Sequence, residues 1–490
     1  MSRAEKMREH MKSLAVGVLL VILICLCVIY ILDFSGVKAY DFTKDDMESV
    51  SSESVRYQYL DHWDVSFVSP SFIGFSAKNR GDNIGFYTLG GENAEIYREV
   101  LPLLEVLFAD GSAEAMDAAE GEALFRDLLR GDYIYLSYAC DLPTALLLAM
   151  SHDDASGDGD MGEFVSEVLI VPEVYLGEAS YEDAAGVAER LSVYSFYAVA
   201  RDGSGNYYRY RTAPAEGDER DILFHTNFYR TYTIKENALP YEFACLWKED
   251  SFLEKHDFRE KISDTTVIPL SHAAYETPIV FAESRIPGGN DKNEILDIFY
   301  MNPEKISSYT DETGVIFYFD EGRNISISPS GRMQFTSLGA EGISLEELFG
   351  GRSTNGEYTV FDYIGASLME SALLKKAHNQ TNCALYISGI SHDGTLLKIS
   401  FGYAVGGMPL YFDGSADVLS FSFSSGMLEA AEYHFWTVHK TALVSRTPDF
   451  LWALRSRLLS DEGREEYFYG YYFTKNRTRT GADILGIPKP

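Results

Sequence analysis

Hydrophobic and polar residues are spread very unevenly along this chain. Residues 14–32, LAVGVLLVILICLCVIYIL, carry no charge. As a helix they extend about 28 Å at ~1.5 Å per residue, close to the roughly 30 Å hydrocarbon core of a bilayer. The pattern predicts one transmembrane helix behind a short tail (1–13). A polar, Ser/Asp/Glu-rich tether (33–55) with little to bury follows it. Beyond the tether, apolar spacings of two and of three to four residues alternate, which predicts an α+β chain in three parts: 56–245, 246–340 and 341–490.

In the first part, alternation over 55–67 reads as a strand. Helical spacing over 96–108 reads as a helix that Pro102 should kink or end. A second helix is expected over 113–129, stopped by Gly131. YIYLSY (133–138) reads as a strand, and Leu142-Pro143 opens a helix through Met150. Strands at 194–200 and 206–212 flank Asp202-Gly203-Ser204-Gly205, a hairpin signal.

In the middle part, Asp291 and Glu294 suggest a capping box for a short helix carrying Ile295, Ile298 and Phe299. Asn302-Pro303 should end it. Three strands follow, at 314–319, 324–328 and 332–336, with glycine supplying positive φ in turns at Gly322 and Gly331. In the last part, Ser344 and Glu347 form a second capping box. A helix over 360–378 places Phe361, Ile364, Gly365, Leu368 and Ala372 on one face. Strands at 383–390, 396–405, 416–423 and 427–438 make an antiparallel meander. A helix from Thr447 to Leu459 and a strand over 467–473 complete the chain. A helix on a meander is an α+β layer, and the middle and last parts read as a loose helix-then-meander repeat.

Charge orients the span. Arg3, Lys6, Arg8 and Lys12 precede it, and the other flank turns acidic at Asp33, Asp41, Asp45 and Asp46. The tail is therefore expected in the cytoplasm and the bulk of the chain outside the cell membrane. A cleaved signal peptide is the alternative, but its apolar region is usually only ~7–15 residues. Ser13, Gly17, Leu20, Ile24, Cys27 and Ile31 share one helical face. The small pair Ser13/Gly17 marks it as a face for a partner helix; a plain lipid-facing anchor is the rival reading. A net charge of −33 excludes nucleic acid as a partner.

Chemistry is nearly silent. No HExxH, GxSxG, P-loop or CxxC motif occurs, and Cys140, Cys245 and Cys383 sit among apolar neighbours as buried thiols, with one bridge left open. The acidic stretch 151–163 offers oxygen ligands suited to calcium. Counted from Asp154, however, its twelfth position is Val165 and not Glu, so an exposed loop is expected. His434 and His439, five apart, fall on opposite faces of a strand. Tyr467, Tyr469, Tyr471 and Phe473 alternate along one strand as a surface for a partner or a sugar, the rival reading being half core and half ordinary surface. No catalytic, metal or cofactor set is expected.

Three stretches resemble one family. YIYLSYACDLPTALLLAM (133–150) looks like a strand followed by a proline-led helix. Residues 295–336, with YTDETGVIFYFDEG and ISISPSGRMQFTS, are similar to a middle-module meander. ISFGYAVGGMPLYFDGSADVLS (399–420) resembles a C-terminal hairpin and the strand after it. With one N-terminal span, this order of parts resembles YycH and YycI, membrane-anchored regulators of the WalK (YycG) sensor kinase of low-GC Gram-positive bacteria. The departures are a C-terminus, GADILGIPKP, without the expected aromatic closing strand, and the acidic stretch 151–163, which looks inserted. The resemblance implies a non-enzymatic protein that pairs with a YycI/YycH-like partner outside the cell. It also implies contact with the kinase's transmembrane region, adjusting cell-wall metabolism. A glycan-binding surface protein or an anchored cell-wall hydrolase is the alternative.

Overall fold

The computed structural model describes residues 67–77, 82–91, 94–110, 113–131, 133–149, 162–173, 195–211, 241–246, 266–270, 276–284, 288, 290–320, 322–337, 342–348, 358–378, 382–393, 395–413, 415–446, 464–474, 479–480 and 483–488. The tail, the span with Ser13, Gly17, Leu20, Ile24, Cys27 and Ile31, the tether, residues 151–161 and the helix expected at 447–459 lie outside them. So does all but Phe67 of the strand expected at 55–67. No helix among the described residues is long and apolar enough to cross a membrane.

The fold is α+β and mostly strand. The first sheet contains β1 (Phe72–Ala77), β2 (Asp82–Tyr87), β3 (Glu114–Met116), β4 (Tyr133–Pro143), β5 (Phe164–Glu173), β6 (Ser195–Arg201), β7 (Tyr207–Arg211), β8 (Tyr241–Leu246) and β9 (Thr266–Leu270). Their order is β3-β7-β6-β5-β4-β1-β2-β8-β9, antiparallel throughout. Val168, Leu169 and Ile170 are consecutive and all buried, so both faces of the sheet are covered there.

Three helices pack on this sheet: α1 (Ala94–Asp110), α2 (Ala118–Leu128) and α3 (Thr144–Ala149). Helix α1 runs through Pro102, contrary to the expected break. Pro102 is exposed, while Ile96, Tyr97, Val100, Leu104 and Leu107 bury one face, and that burial outweighs the backbone bond that proline removes. The expected helix at 113–129 is shorter, because 114–116 pairs with β7 as a strand. Asp117 then caps α2, its carboxylate accepting from Ala119 N at 3.0 Å.

The remaining strands are β10 (Glu276–Ser284), β11 (Ser307–Thr310), β12 (Ile316–Phe319), β13 (Arg323–Ile327), β14 (Arg332–Ser337), β15 (Ile343–Ser344), β16 (Ala384–Asp393), β17 (Leu396–Val405), β18 (Met408–Phe412), β19 (Asp417–Ser424), β20 (Met427–His434), β21 (Trp436–Arg446), β22 (Arg464–Phe473), β23 (Arg479–Thr480) and β24 (Asp483–Pro488). One sheet runs β11-β12-β13-β14-β20-β19-β17-β18-β22-β24, with β15 on β20 and β16 on β17. A smaller one runs β21-β10-β23. Strand β14 pairs with β20, Arg332 opposite His434, so the two expected meanders on either side of residue 340 share one sheet. The strand expected over 427–438 breaks at Phe435, whose N–H bonds the Gly331 carbonyl, and the chain passes from the larger sheet to the smaller.

Helix α4 (Asn290–Ile298) packs on α6 (Val360–Ala377), as does α5 (Leu345–Leu348). Helix α4 ends earlier than Asn302-Pro303 suggests. Tyr300 takes a φ of 55° and Met301 N bonds the Leu296 carbonyl, which closes the last turn. The Ser344/Glu347 capping box is present, with Glu347 N donating to Ser344 Oγ at 3.1 Å and Ser344 N to Glu347 Oε2 at 2.9 Å. At the start of α6, Thr359 N and Thr359 Oγ1 both donate to the Asp362 carboxylate. The buried surface of α6 differs from the expected face: Ile364 and Leu368 are buried, but so are Ser367, Glu370 and Ser371, and Ala372 is exposed. The reason is that α6 is enclosed between α4 and α5 and strand β19.

The first sheet and the large sheet share one hydrophobic core. Cys140 Sγ on β4 donates to the Ile387 carbonyl on β16 at 3.7 Å, and Leu89 bridges Gly407. A Cβ on Gly407 would stand 2.5 Å from the Tyr87 carbonyl oxygen, so only glycine, here at φ 75°, permits this approach.

Candidate interaction surface

The expected aromatic surface on β22 turns inward. Tyr471 is 1% exposed and Phe473 0%, and Phe473 stacks on Phe412 at 5.3 Å. Tyr467 and Tyr469 occupy the same strand, but their side chains lie outside the described residues. Residues 471–473 pair with β18 and residues 464–470 with β24, and Tyr471 and Phe473 pack into the shared core. β24 is formed by DILGIP, so the C-terminal segment does carry a closing strand, one without aromatic residues.

A hydrogen-bonded set of side chains is enclosed at the end of α6. His378 Nδ1 shares a hydrogen bond with Tyr433 Oη at 2.9 Å, and its Nε2 with Thr437 Oγ1 at 3.1 Å. Tyr403 Oη lies 3.0 Å from Tyr433 Oη. Both imidazole nitrogens are committed, so this chain of side chains ties α6 to β17, β20 and β21. Burial pushes the neighbouring Cys383 thiol up to about 12 and also raises the Cys140 thiol, and both cysteines are free. Cys383 is buried and Cys140 partly so, and cysteines held in the thiol form are poor nucleophiles. Glu370, 2% exposed, has its carboxyl raised to about 8 by burial, and its Oε2 has no hydrogen-bond partner among the described residues.

On the first sheet, Arg201 Nη2 donates to Glu167 Oε1 at 2.6 Å and its guanidinium lies 5.1 Å from the Phe125 ring centre. Glu432 accepts from Arg332 at 2.7 Å and shares a 3.0 Å contact with His434. The bond to His434 first, then Arg332, lowers its carboxyl to about 2. His439 is on β21 and stacks on Phe281, so the two histidines sit in different sheets. Among the described residues no group of His, Cys, Asp and Glu side chains could hold a metal ion.

Two exposed aromatic side chains stand together on the β11–β12 hairpin. Tyr309 is 53% exposed and Phe319 39%. The Tyr309 ring stacks on Phe317 at 4.9 Å and meets Phe319 edge-on at 6.0 Å, a cross-strand aromatic cluster on the outer face. On the other face Tyr318 is buried, with Lys292 Nζ of α4 5.5 Å from its ring centre. The turn is rigid: Asp311 Oδ1 accepts from Thr313 N, Thr313 Oγ1 and Val315 N, and Gly314 at φ 85° closes it. Those bonds hold the Asp311 carboxyl below its ordinary range. Among the described residues strand β11 ends the sheet order, and all four of its residues are exposed. The polar run SSYT hid it from periodicity, although the apolar VIFYF after it was legible.

No protein-family model matches the chain, and neither a curated protein nor a solved structure is significantly similar to it.

Proposed function

We propose that this chain is a membrane-anchored extracytoplasmic regulator of a two-component sensor histidine kinase that controls cell-wall metabolism, as the YycH/YycI resemblance implies. The observation that carries this reading is the uncharged segment 14–32 with its basic leading flank, set before a large acidic α+β body. On this reading the body is outside the cell, residues 33–55 are its tether, and the helix-and-meander parts are non-enzymatic binding modules.

On this reading the span signals inward by biasing a neighbouring helix. The coupling cannot exceed its differential affinity for the kinase's two states. The face Ser13, Gly17, Leu20, Ile24, Cys27 and Ile31 is where that helix would pack, closest at the small pair. Gly17→Leu should reduce co-purification with the kinase at least several-fold; unchanged recovery rejects this face. A second reading, a cell-surface glycan binder, draws on the exposed Tyr309 and Phe319 rings. It requires the protein to sediment with purified cell wall and Tyr309→Ala to abolish that.

A further inference from the structure

The ladder between β11 and β12 determines which backbone groups of β11 face outward. Asp311 N donates to the Val315 carbonyl at 3.0 Å, so 311 and 315 form a hydrogen-bonded pair. The register Thr310↔Ile316, Tyr309↔Phe317, Ser308↔Tyr318 then alternates from it. Tyr309 bonds inward to β12. Ser308 and Thr310 point their N–H and C=O groups away from the sheet, at a strand with no proline, lysine or bulge in it.

We propose that this edge joins β11 of a second copy of the chain, antiparallel, with Tyr309 opposite its counterpart. A two-fold axis through an antiparallel pair stands normal to the sheet, so both aromatic faces stay on the same side. Of the alignments this symmetry allows, the one centred on Tyr309 sets each outward Ser308 against the outward Thr310 of the other copy, which exchange both backbone bonds. Tyr309 then occupies the non-hydrogen-bonded site, where side chains approach most closely, and the rings Phe317, Tyr309, Tyr309 and Phe317 form one row. The same alignment brings Lys305 of each copy beside the Asp311-Glu312 turn of the other, where Lys305 and Glu312 are exposed and of opposite charge. Glu304 at that end opposes this attraction, so the backbone ladder and the rings dominate. The proposal stands apart from the kinase reading, since either can fail alone.

Disulfide trapping on the full chain in native membranes tests it. In this register the two Cα atoms at 309 lie about 4.5 Å apart, inside the ~4.4–6.8 Å range a disulfide spans. Two copies of residue 307 lie about 14 Å apart, at ~3.4 Å per residue. Mild oxidation of Tyr309→Cys should give at least tenfold more crosslinked homodimer than Ser307→Cys, above the background of the parent chain. Adding Thr310→Pro, whose lost N–H faces away from β12, should cut that yield at least fivefold; Ser308→Pro is the parallel test. Equal trapping at both positions, no trapping, trapping to a different protein, or indifference to both prolines overturns the proposal.

Discussion

Gly121 of α2 lies against Tyr207 of β7 so closely that a Cβ at 121 would stand 2.4 Å from the Tyr207 Cβ. The obstructing atoms are the root of the tyrosine, which cannot swing aside as a flexible tip would. Alanine is favoured over glycine within a helix by about 1 kcal/mol, but overpacking costs roughly 1–3 kcal/mol. Gly121→Ala should therefore lower the denaturation midpoint, and a rise would show that α2 can lift off β7 cheaply.

Glu370 makes stability fall as pH rises. Its carboxyl is raised from 4.5 to about 8 by burial, so between those values the folded chain holds a proton that the unfolded chain has lost. Stability should drop by up to about 1.4 kcal/mol per pH unit across that window and level off above it. Glu370→Gln, which cannot ionise, should flatten that slope and exceed the parent in stability at about pH 8. An unchanged slope in thermal melts from pH 5 to 8 would remove Glu370 as its source.

Glu432 works in the opposite sense. Its carboxyl is lowered from 4.5 to about 2, so the stability it contributes is present above the ordinary value and lost as pH falls toward 2. Glu432→Gln should remove this contribution at neutral pH and make the acid limb shallower. Parallel acid limbs for parent and variant would contradict the Arg332–Glu432–His434 link.

Leu104 is fully buried on the helix that runs through Pro102. Leu104→Ala should cost about 2–5 kcal/mol, whereas Pro102→Ala, at an exposed site, should stabilise α1 by restoring a backbone donor. A destabilising Pro102→Ala would show that the proline is required for the helix's packing.

Much of the fold was legible where one local signal governs. The Ser344/Glu347 box, the hairpin at Asp202–Gly205 and the strands of both meanders follow from caps, turn glycines and alternation. What periodicity missed is set by tertiary contact. Ala372 is exposed and Glu370 is buried, outside the expected face, because α6 is covered on more than one side. Tyr471 and Phe473 face inward because they pack into the shared core, Phe473 on Phe412 of β18. The 427–438 run, MLEAAEYHFWTV, holds no glycine or proline, so no turn signal marks the change of sheet at Phe435. The docking edge at Ser308 and Thr310 is a property of backbone direction, which polar side chains do not announce.

The central claim, that the span is what couples this chain to its target, is tested most directly by exchanging residues 14–32 for an unrelated transmembrane helix of equal length. The readout is a cell-wall stress reporter in cells whose only copy is the exchanged chain. The expected result is loss of the regulatory effect with the protein still displayed at normal level on the outer face. A reporter response equal to that of the parent chain, or recovery of the mature chain free in the medium, would contradict it.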